Sequence, residues 1–300
     1  MSRLARSLLL GIVVATCLVA GPPASAAKEA KTATMVYGPI PLAPGHLTAF
    51  VPNVPKPCSN CNVTGVKLDL AYSDGASANL DTGVMLHHVL LWQYGMKDST
   101  CGSDTPVGMA GQRFFAAGNE RTSGALPPGY AYFLGSNAMN AYFDLVNHST
   151  EMKMVSFRAK VTYLPGSTKG IKKVTPVWLD QNNCSLTSTY KAPAGPSNQV
   201  AKWKSTINGT VVAAGGHVHD GGIKTVMFNE TTGDHICTSW AGYGKDPAFK
   251  GSVDSMSVCI GENLGSIREG EDLAIDTYYN LEEPKDDVMG IMLAYVHEAK

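Results

Sequence analysis

The chain has 300 residues, of which 44% are hydrophobic and 16% charged, and its formal net charge at neutral pH is −1. This balance argues against nucleic acid or an anionic membrane as a partner, because both attract an excess of basic residues. The length is sufficient for two medium-sized domains or one large β domain.

The first 26 residues have the pattern of a secretory signal peptide. Arg3 and Arg6 precede an apolar run from Leu8 to Val19, and Ala24-Ser25-Ala26 forms a small-residue cleavage site. The apolar run is too short to span a bilayer, and no later run reaches the roughly 18 residues that a transmembrane helix needs. We therefore expect a secreted protein with no membrane partner.

Cysteines and glycosylation sequons agree with that compartment. Cys17 lies in the leader, and the other six are Cys58, Cys61, Cys101, Cys184, Cys237 and Cys259. An even number predicts three disulfides, one of them the local pair Cys237–Cys259. We expect Cys58 and Cys61 to pair separately with Cys101 and Cys184, because no helix follows to make Cys58–Cys61 a redox motif. Five sequons predict a glycoprotein, at Asn62, Asn147, Asn183, Asn208 and Asn229.

Short apolar runs separated by turn residues predict an all-β fold. Residues 66–72, 157–163 and 273–279 alternate like half-buried strands, whereas residues 85–92 and 289–296 are continuous apolar runs typical of strands buried on both faces. The interpretation is two tandem β-sandwich domains of jelly-roll type. A stretch poor in large apolar residues suggests domains at 27–184 and 200–300, joined by a linker at 185–199.

His217-Val218-His219 is the strongest candidate for a metal site. Residues two apart on a strand face the same side, with side chains roughly 6–7 Å apart. The third ligand would be Met289, or less favourably Met292, and two imidazoles with a thioether suit copper. The alternative is that both histidines only decorate a strand while Met289 fills the core.

His87-His88 is a second candidate, although adjacent strand residues face opposite sides. Both can bind one metal only if the strand ends or bulges there, or if each ring bends back to coordinate through Nδ1. His148 would complete a three-imidazole copper site suited to electron transfer. Because His148 lies within a sequon, Met152 or Met154 is the alternative ligand. We expect two copper ions, one in each half of the chain.

Four pieces of sequence resemble the copper type II, ascorbate-dependent monooxygenases, the group of peptidylglycine α-hydroxylating and dopamine β-monooxygenases. They are His87-His88-Val89-Leu90-Leu91, Tyr142-Phe143-x-Leu145-x-x-His148, His217-x-His219-x-x-Gly222, and Asp287-x-Met289 leading to Tyr295. The resemblance implies an electron-donating copper at His87, His88 and His148. It implies an oxygen-binding, catalytic copper at His217, His219 and Met289.

A fuller resemblance is to the secreted, stress-up-regulated nodulin (Nod-nineteen) family. It covers about residues 35–297 and is carried by Asp81-Thr82-Gly83-x-x-Leu86-His87-His88, by Arg113-Phe114-Phe115-Ala116-x-Gly118-Asn119-Glu120-Arg121-Thr122, by Val177-Trp178-Leu179-Asp180, by Gly215-Gly216-His217-x-His219-Asp220-Gly221-Gly222, and by Asp287-Val288-Met289-Gly290-Ile291. This family supports the fold and the metal motifs more than any particular reaction.

These observations predict a secreted monomer that hydroxylates a C–H bond with dioxygen, copper, and ascorbate or another reductant. The substrate, a small molecule or a peptide-like one, is not specified by the sequence. The alternative is a non-enzymatic copper-binding or stress-induced cell-wall glycoprotein on the same scaffold. A structural glycoprotein with incidental histidines is the third hypothesis.

Overall fold

The structure, a computed structural model, describes residues 29–185 and 187–299, so the predicted leader at 1–26 lies outside the described residues. The strands of the first half are β1 (Lys31–Leu42), β2 (Gly45–Val54), β3 (Cys61–Tyr72), β4 (Val84–Gln93), β5 (Gln112–Gly118), β6 (Gly124–Ala125), β7 (Tyr130–Leu134), β8 (Met139–Asn147), β9 (Lys153–Pro165) and β10 (Lys172–Lys173). Those of the second half are β11 (Thr175–Asp180), β12 (Thr189–Ala192), β13 (Gly195–Lys204), β14 (Gly209–Val218), β15 (Gly222–Asn229), β16 (Asp234–Tyr243), β17 (Val253–Met256), β18 (Val258–Ile267), β19 (Asp272–Leu281) and β20 (Lys285–Glu298). Helical structure in the described residues consists of α1 (Pro106–Met109) and a 3-10 helix (Pro247–Phe249). Neither is long and apolar enough to cross a membrane.

The first half is a sandwich of two sheets around one apolar core. One sheet has the order β1-β9-β3-β7-β10, with β6 paired to β3, and the other has the order β2-β8-β4-β5. Leu68 and Leu70 of β3 pack in the same cluster as Leu86 of β4. The rings of Phe143 and Phe157 lie 5.1 Å apart in this core, which joins β8 of one sheet to β9 of the other.

The second half repeats this architecture. The order β11-β20-β14-β18, with β12 paired to β20, forms one sheet, and β13-β19-β15-β16-β17 forms the other. Val211 and Met292 from the first of these sheets share a buried cluster with Met227 and Ile275 from the second. The prediction of an all-β sandwich fold is therefore confirmed, and β4 and β20 are the long, largely buried strands that their continuous apolar runs indicated.

Strand pairing differs from the predicted division at 185–199. β11, at 175–180, already pairs with β20 in the second half. Residues 189–192 form β12 on the other end of β20, and β13 begins at Gly195. Part of this polar stretch lies in β12 and in the first residues of β13, an edge strand of its sheet, where most side chains are exposed or half-buried.

Apolar contacts hold the two halves together beside the sheet that carries β4 and β5. Trp178 of β11 and Met289, Ile291 and Leu293 of β20 form a buried cluster, against which Leu90 and Ala116 from the first half pack. The Tyr295 hydroxyl donates a hydrogen bond to the Phe114 carbonyl at 2.8 Å. β4 and β14 are therefore brought to the same interface between the halves.

The disulfide predictions are partly confirmed and partly wrong. Cys237–Cys259 forms as predicted, whereas Cys58 bonds to Cys61, and Cys101 bonds to Cys184. Cys61 is the first residue of β3 and Cys58 lies in the loop before it, and their Cα atoms are 6.1 Å apart, within the ordinary range for a disulfide. Cys184 instead reaches Cys101, with a Cα separation of 5.4 Å, and links the two halves.

Candidate metal centre

Four imidazoles from two distant parts of the chain form one cluster. His87 and His88 belong to β4, His217 to β14, and His219 to the turn after β14. Ring centroids are 4.1 Å apart for His87 and His88, 5.0 Å for His88 and His217, and 5.2 Å for His88 and His219. One nitrogen from each of His87, His88 and His219 lies within 4.8 Å of the other two.

His88 is at the middle of the cluster. Its Nε2 lies 3.1 Å from Nε2 of His217 and 3.1 Å from Nε2 of His219. Nε2 of His88 carries either one N–H or one lone pair, so hydrogen bonds between neutral rings cannot fully satisfy both of these contacts. A cation among them would accept all three lone pairs.

A β-bulge allows two adjacent histidines to reach the same place. The register between β4 and β8 pairs Leu86 with Leu145 but His88 with Asp144, so His87 is the extra residue. An extra residue on one strand interrupts the alternation of faces. The bulge therefore allows His87 and His88, adjacent on one strand, to face the same site.

His217 and His219 are held by the end of β14. The backbone N–H of His219 donates to the Tyr279 hydroxyl at 2.7 Å, and that hydroxyl donates to the Met289 carbonyl at 2.6 Å. Tyr279 is 1% exposed, so this bridge between β14, β19 and β20 is protected from water. Gly221 has a φ of +91° in the turn between β14 and β15, a conformation that favours glycine.

Gly118 permits the close approach of the two halves. It pairs with His88 at the end of β5. A Cβ atom at this position would lie 2.4 Å from Cε1 of His217 and 2.5 Å from a carboxylate oxygen of Glu120. Any larger residue would push His217 away from His88, so the absence of a side chain is part of the site.

Two carboxylates orient the rings from outside the cluster. Asp144 accepts a hydrogen bond from Nδ1 of His87 at 2.6 Å, and its carboxylate lies 3.6 Å from Nδ1 of His88. Glu120 accepts from Nδ1 of His217 at 3.1 Å. A proton on Nδ1 of His87 or His217 leaves Nε2 with a free lone pair, which is the form that binds metals.

Burial keeps the central histidines neutral. Desolvation lowers the pKa of His88 to about 3 and lowers the pKa of His219 well below its usual value. Burial alone would raise the pKa of Glu120, but the charge and hydrogen bond of His217 outweigh it and hold that pKa low. The site thus combines the neutral imidazoles of His88 and His219 with an ionised carboxylate at Glu120, a donor set that fits a metal cation.

The arrangement differs from the predicted pair of separate sites. His87, His88, His217 and His219 come together at the interface of the two halves, whereas His148 is exposed just beyond β8 and is not part of the cluster. Asp144 and His148 are four residues apart, or about 13 Å along a strand. Because Asp144 contacts His87, the His148 backbone is carried away from the site. Met152 and Met154 are also exposed.

Met289 lies beside the cluster rather than at its centre. It is 8% exposed and packs with Trp178 and Ile291, and its side chain lines the same cleft as His88 and His219. Met292, the other candidate, points into the opposite core and is fully buried.

A cleft of about 980 Å³ opens from the histidines. His87, His88, His219 and Asp144 line one part of it. The remaining wall is largely apolar and aromatic, and includes Phe50, Leu90, Trp92, Val107, Met109, Tyr142, Trp178, Met289 and Ile291. Its size and lining are typical of a site for an organic molecule.

Glu120 and Asp144 were not predicted from the sequence as site residues. Both lie within the motifs that carried the family resemblances, at Asn119-Glu120-Arg121-Thr122 and Tyr142-Phe143-Asp144-Leu145. Ligand histidines commonly donate a hydrogen bond to a carboxylate. The acidic residues within these motifs could therefore have been predicted as partners of the histidines.

Comparison with known proteins supports the resemblances drawn from these motifs. Residues 174–299, less than half of the chain, match the model of the family described as Stress up-regulated Nod 19. The chain is 27% identical over 266 residues to the probable copper-dependent oxygenase M1 of a Phoma species, covering 81% of this chain and 66% of that protein. It is 26% identical to the probable copper-dependent oxygenase clz3 of Cochliobolus lunatus, covering 76% of this chain and 77% of that protein.

The chain therefore spans just under two thirds of the length of M1. Among solved structures, the crystal structure of the STIV MCP matches 90% of this chain and 97% of its own, with a TM-score of 0.40 and 11% identity. That likeness is too low to carry an argument about fold or function.

Proposed function

We propose that the four-histidine cluster binds copper and that the protein is a copper-dependent oxygenase acting on an organic substrate. The observation that carries the proposal is that the nitrogens of His87, His88 and His219 lie within 4.8 Å of one another, while Nε2 of His217 lies 3.1 Å from Nε2 of His88. Imidazole ligands suit copper, zinc, iron and nickel alike. The similarity to M1 and clz3, which are named as probable copper-dependent oxygenases, favours copper among these.

The spacing of the nitrogens supports one ion. Metal–nitrogen bonds of about 2.0–2.1 Å place two ligand nitrogens about 2.9 Å apart at a right angle and about 3.3 Å apart at a tetrahedral angle. The two distances of 3.1 Å from His88 fall between these values. We therefore propose a single centre in place of the two ions expected from the sequence, one in each half.

The protein's residues position the ligands and the substrate. Asp144 holds His87 by its Nδ1, and Glu120 holds His217 in the same way. Tyr279 fixes the backbone of His219. Bound copper would supply one-electron redox chemistry and the activation of dioxygen. Leu90, Met289 and Ile291 line the cleft beside the histidines and shield the reacting bond from water.

Hydroxylation of a C–H bond requires a reductant for its balance. The substrate and dioxygen, with two electrons and two protons, give the alcohol and one water. Ascorbate or another two-electron reductant would provide those electrons. The cleft wall favours an organic substrate with a substantial apolar surface.

We also propose that the protein is secreted. Three disulfides indicate an oxidising compartment. The leader pattern at 1–26 supports the same location.

The first test is copper stoichiometry combined with electron paramagnetic resonance of the Cu(II) protein. We expect one tightly bound ion with nitrogen ligands, lost in His88→Ala and retained in the control His148→Ala. Two ions, or one ion that persists in His88→Ala, would contradict the proposed centre. Oxygen consumption that requires both a reductant and an organic substrate then distinguishes an oxygenase from a copper-binding protein without activity.

A further inference from the structure

A second, smaller pocket adjoins the cluster. Its volume is about 80 Å³, and His88, His217 and Glu120 are among its lining residues. His87 and His219 line the large cleft instead, while His88, Leu90, Trp178 and Ile291 line both spaces. The histidine centre therefore has two different surroundings, one suited to a large molecule and one that admits only a small one.

The wall of this pocket is apolar. It includes Leu90, Phe115, Ala116, Ala213, Ala214, Ile291 and Leu293. Among the polar groups that line it, Oε1 of Glu120 accepts from His217 and from the Gly118 amide, and the Thr122 hydroxyl accepts from the Met256 amide. A buried water needs two to four polar partners, whereas apolar cavities stay dry and bind small apolar molecules such as xenon.

The pocket also has a route to solvent. Val258 and Ile260 of the edge strand β18 line it and are 41% and 45% exposed. A small molecule entering beside them would reach His217 without passing the residues that line only the large cleft. An organic substrate that fills the cleft would leave this second route open.

We propose that this pocket is a binding and entry site for dioxygen, separate from the cleft for the organic substrate. Dioxygen is apolar and small enough for the space, and it is the co-substrate that the proposed function requires. The assignment of the occupant rests on that proposed function. The capacity of the pocket for a small apolar gas does not depend on copper.

Xenon binding to the metal-free protein tests this capacity directly. Nuclear magnetic resonance of methyl-labelled protein under xenon pressure should show saturable shifts at Ala116, Val258 and Leu293. Methyl groups that line only the large cleft, such as those of Val107 and Met109, should not share them. Absence of saturable shifts in the pocket, or equal shifts in both places, would overturn the proposal.

Two matched substitutions locate the effect. Ala116 and Ala138 are both half-buried, and they line the small pocket and the large cleft respectively. Ala116→Leu should abolish the xenon shifts, whereas Ala138→Leu should leave them unchanged. Ala116→Val provides a smaller step if the leucine variant does not fold. Xenon shifts that survive both changes at Ala116 would refute the assignment.

The copper-loaded protein then identifies the natural gas. Reoxidation of the reduced protein by dissolved dioxygen should slow in Ala116→Leu and keep its rate in the control Ala33→Leu, at a half-buried alanine of β1 that lines neither space. Equal rates would show that dioxygen uses another path. Failure to bind copper would instead reject the proposed function while the xenon result still decides whether the gas pocket exists.

Discussion

Replacing Glu120 tests whether the buried carboxylate supports the metal through His217. Glu120 is 7% exposed and lies 3.1 Å from Nδ1 of His217. Glutamine keeps an oxygen acceptor of the same reach but removes the charge, whereas alanine removes both. The two variants therefore separate hydrogen bonding from charge at one position.

The expected losses follow from this geometry. Groups that orient a metal-ligating histidine are worth about 10- to 100-fold in metal affinity. Because Glu120→Gln retains an acceptor, we expect about a tenfold loss, or about 1.4 kcal/mol. Glu120→Ala should approach about a hundredfold, or about 2.7 kcal/mol, since Nδ1 of His217 then has no carboxylate to hold its tautomer.

Competition with a chromogenic Cu(I) chelator measures these affinities. The shift in melting temperature on adding copper gives an independent value, because a ligand stabilises the native state in proportion to the logarithm of its affinity. Glu151→Gln is the control, since Glu151 is exposed and its carboxylate pairs only with Lys153 at 3.6 Å. Wild-type affinity in both Glu120 variants would refute the reasoning, as would an equal loss in the control.

Three further predictions concern other parts of the molecule. His148→Ala should leave copper affinity unchanged in the same chelator assay, because His148 is exposed outside the cluster; a loss above about tenfold would restore it as a ligand. Asp98→Asn should lower the free energy of unfolding by about 3–5 kcal/mol in urea titrations, because it leaves the buried Arg113 guanidinium without its 2.9 Å carboxylate partner. Burial would raise the pKa of Asp98, but the pairing with Arg113 outweighs this effect and holds the pKa low. The ion pair therefore stabilises the native protein above about pH 4, and this stabilisation is lost as the pH falls through the pKa of Asp98 in the folded state. An Asp98→Asn variant with wild-type acid stability would contradict this. Protein secreted from a eukaryotic host should carry a glycan at the exposed Asn208 and none at Asn62, Asn147 or Asn229, which are at most 2% exposed. Peptide mass spectrometry checks this, and a glycan on Asn147 in folded protein would contradict it.

The amino-acid sequence determined the fold class and the identity of the imidazoles. Alternation in β3, β9 and β19 and continuous apolar runs in β4 and β20 predicted strands because side-chain period and burial are local properties of the chain. Cys237–Cys259 was predictable for the same reason, as a short loop with a nearby partner. His87, His88, His217 and His219 were all singled out from residue type and spacing.

Only the tertiary structure decided that these four histidines form one cluster. His88 and His217 are 129 residues apart, and their contact depends on the apolar packing of β20 against the first half and on the missing side chain at Gly118. Local sequence carries no record of such distances, so His148 was preferred for its position in a motif while Glu120 and Asp144 were overlooked. The bulge at His87 likewise depends on the register with β8, which is a property of two strands rather than one.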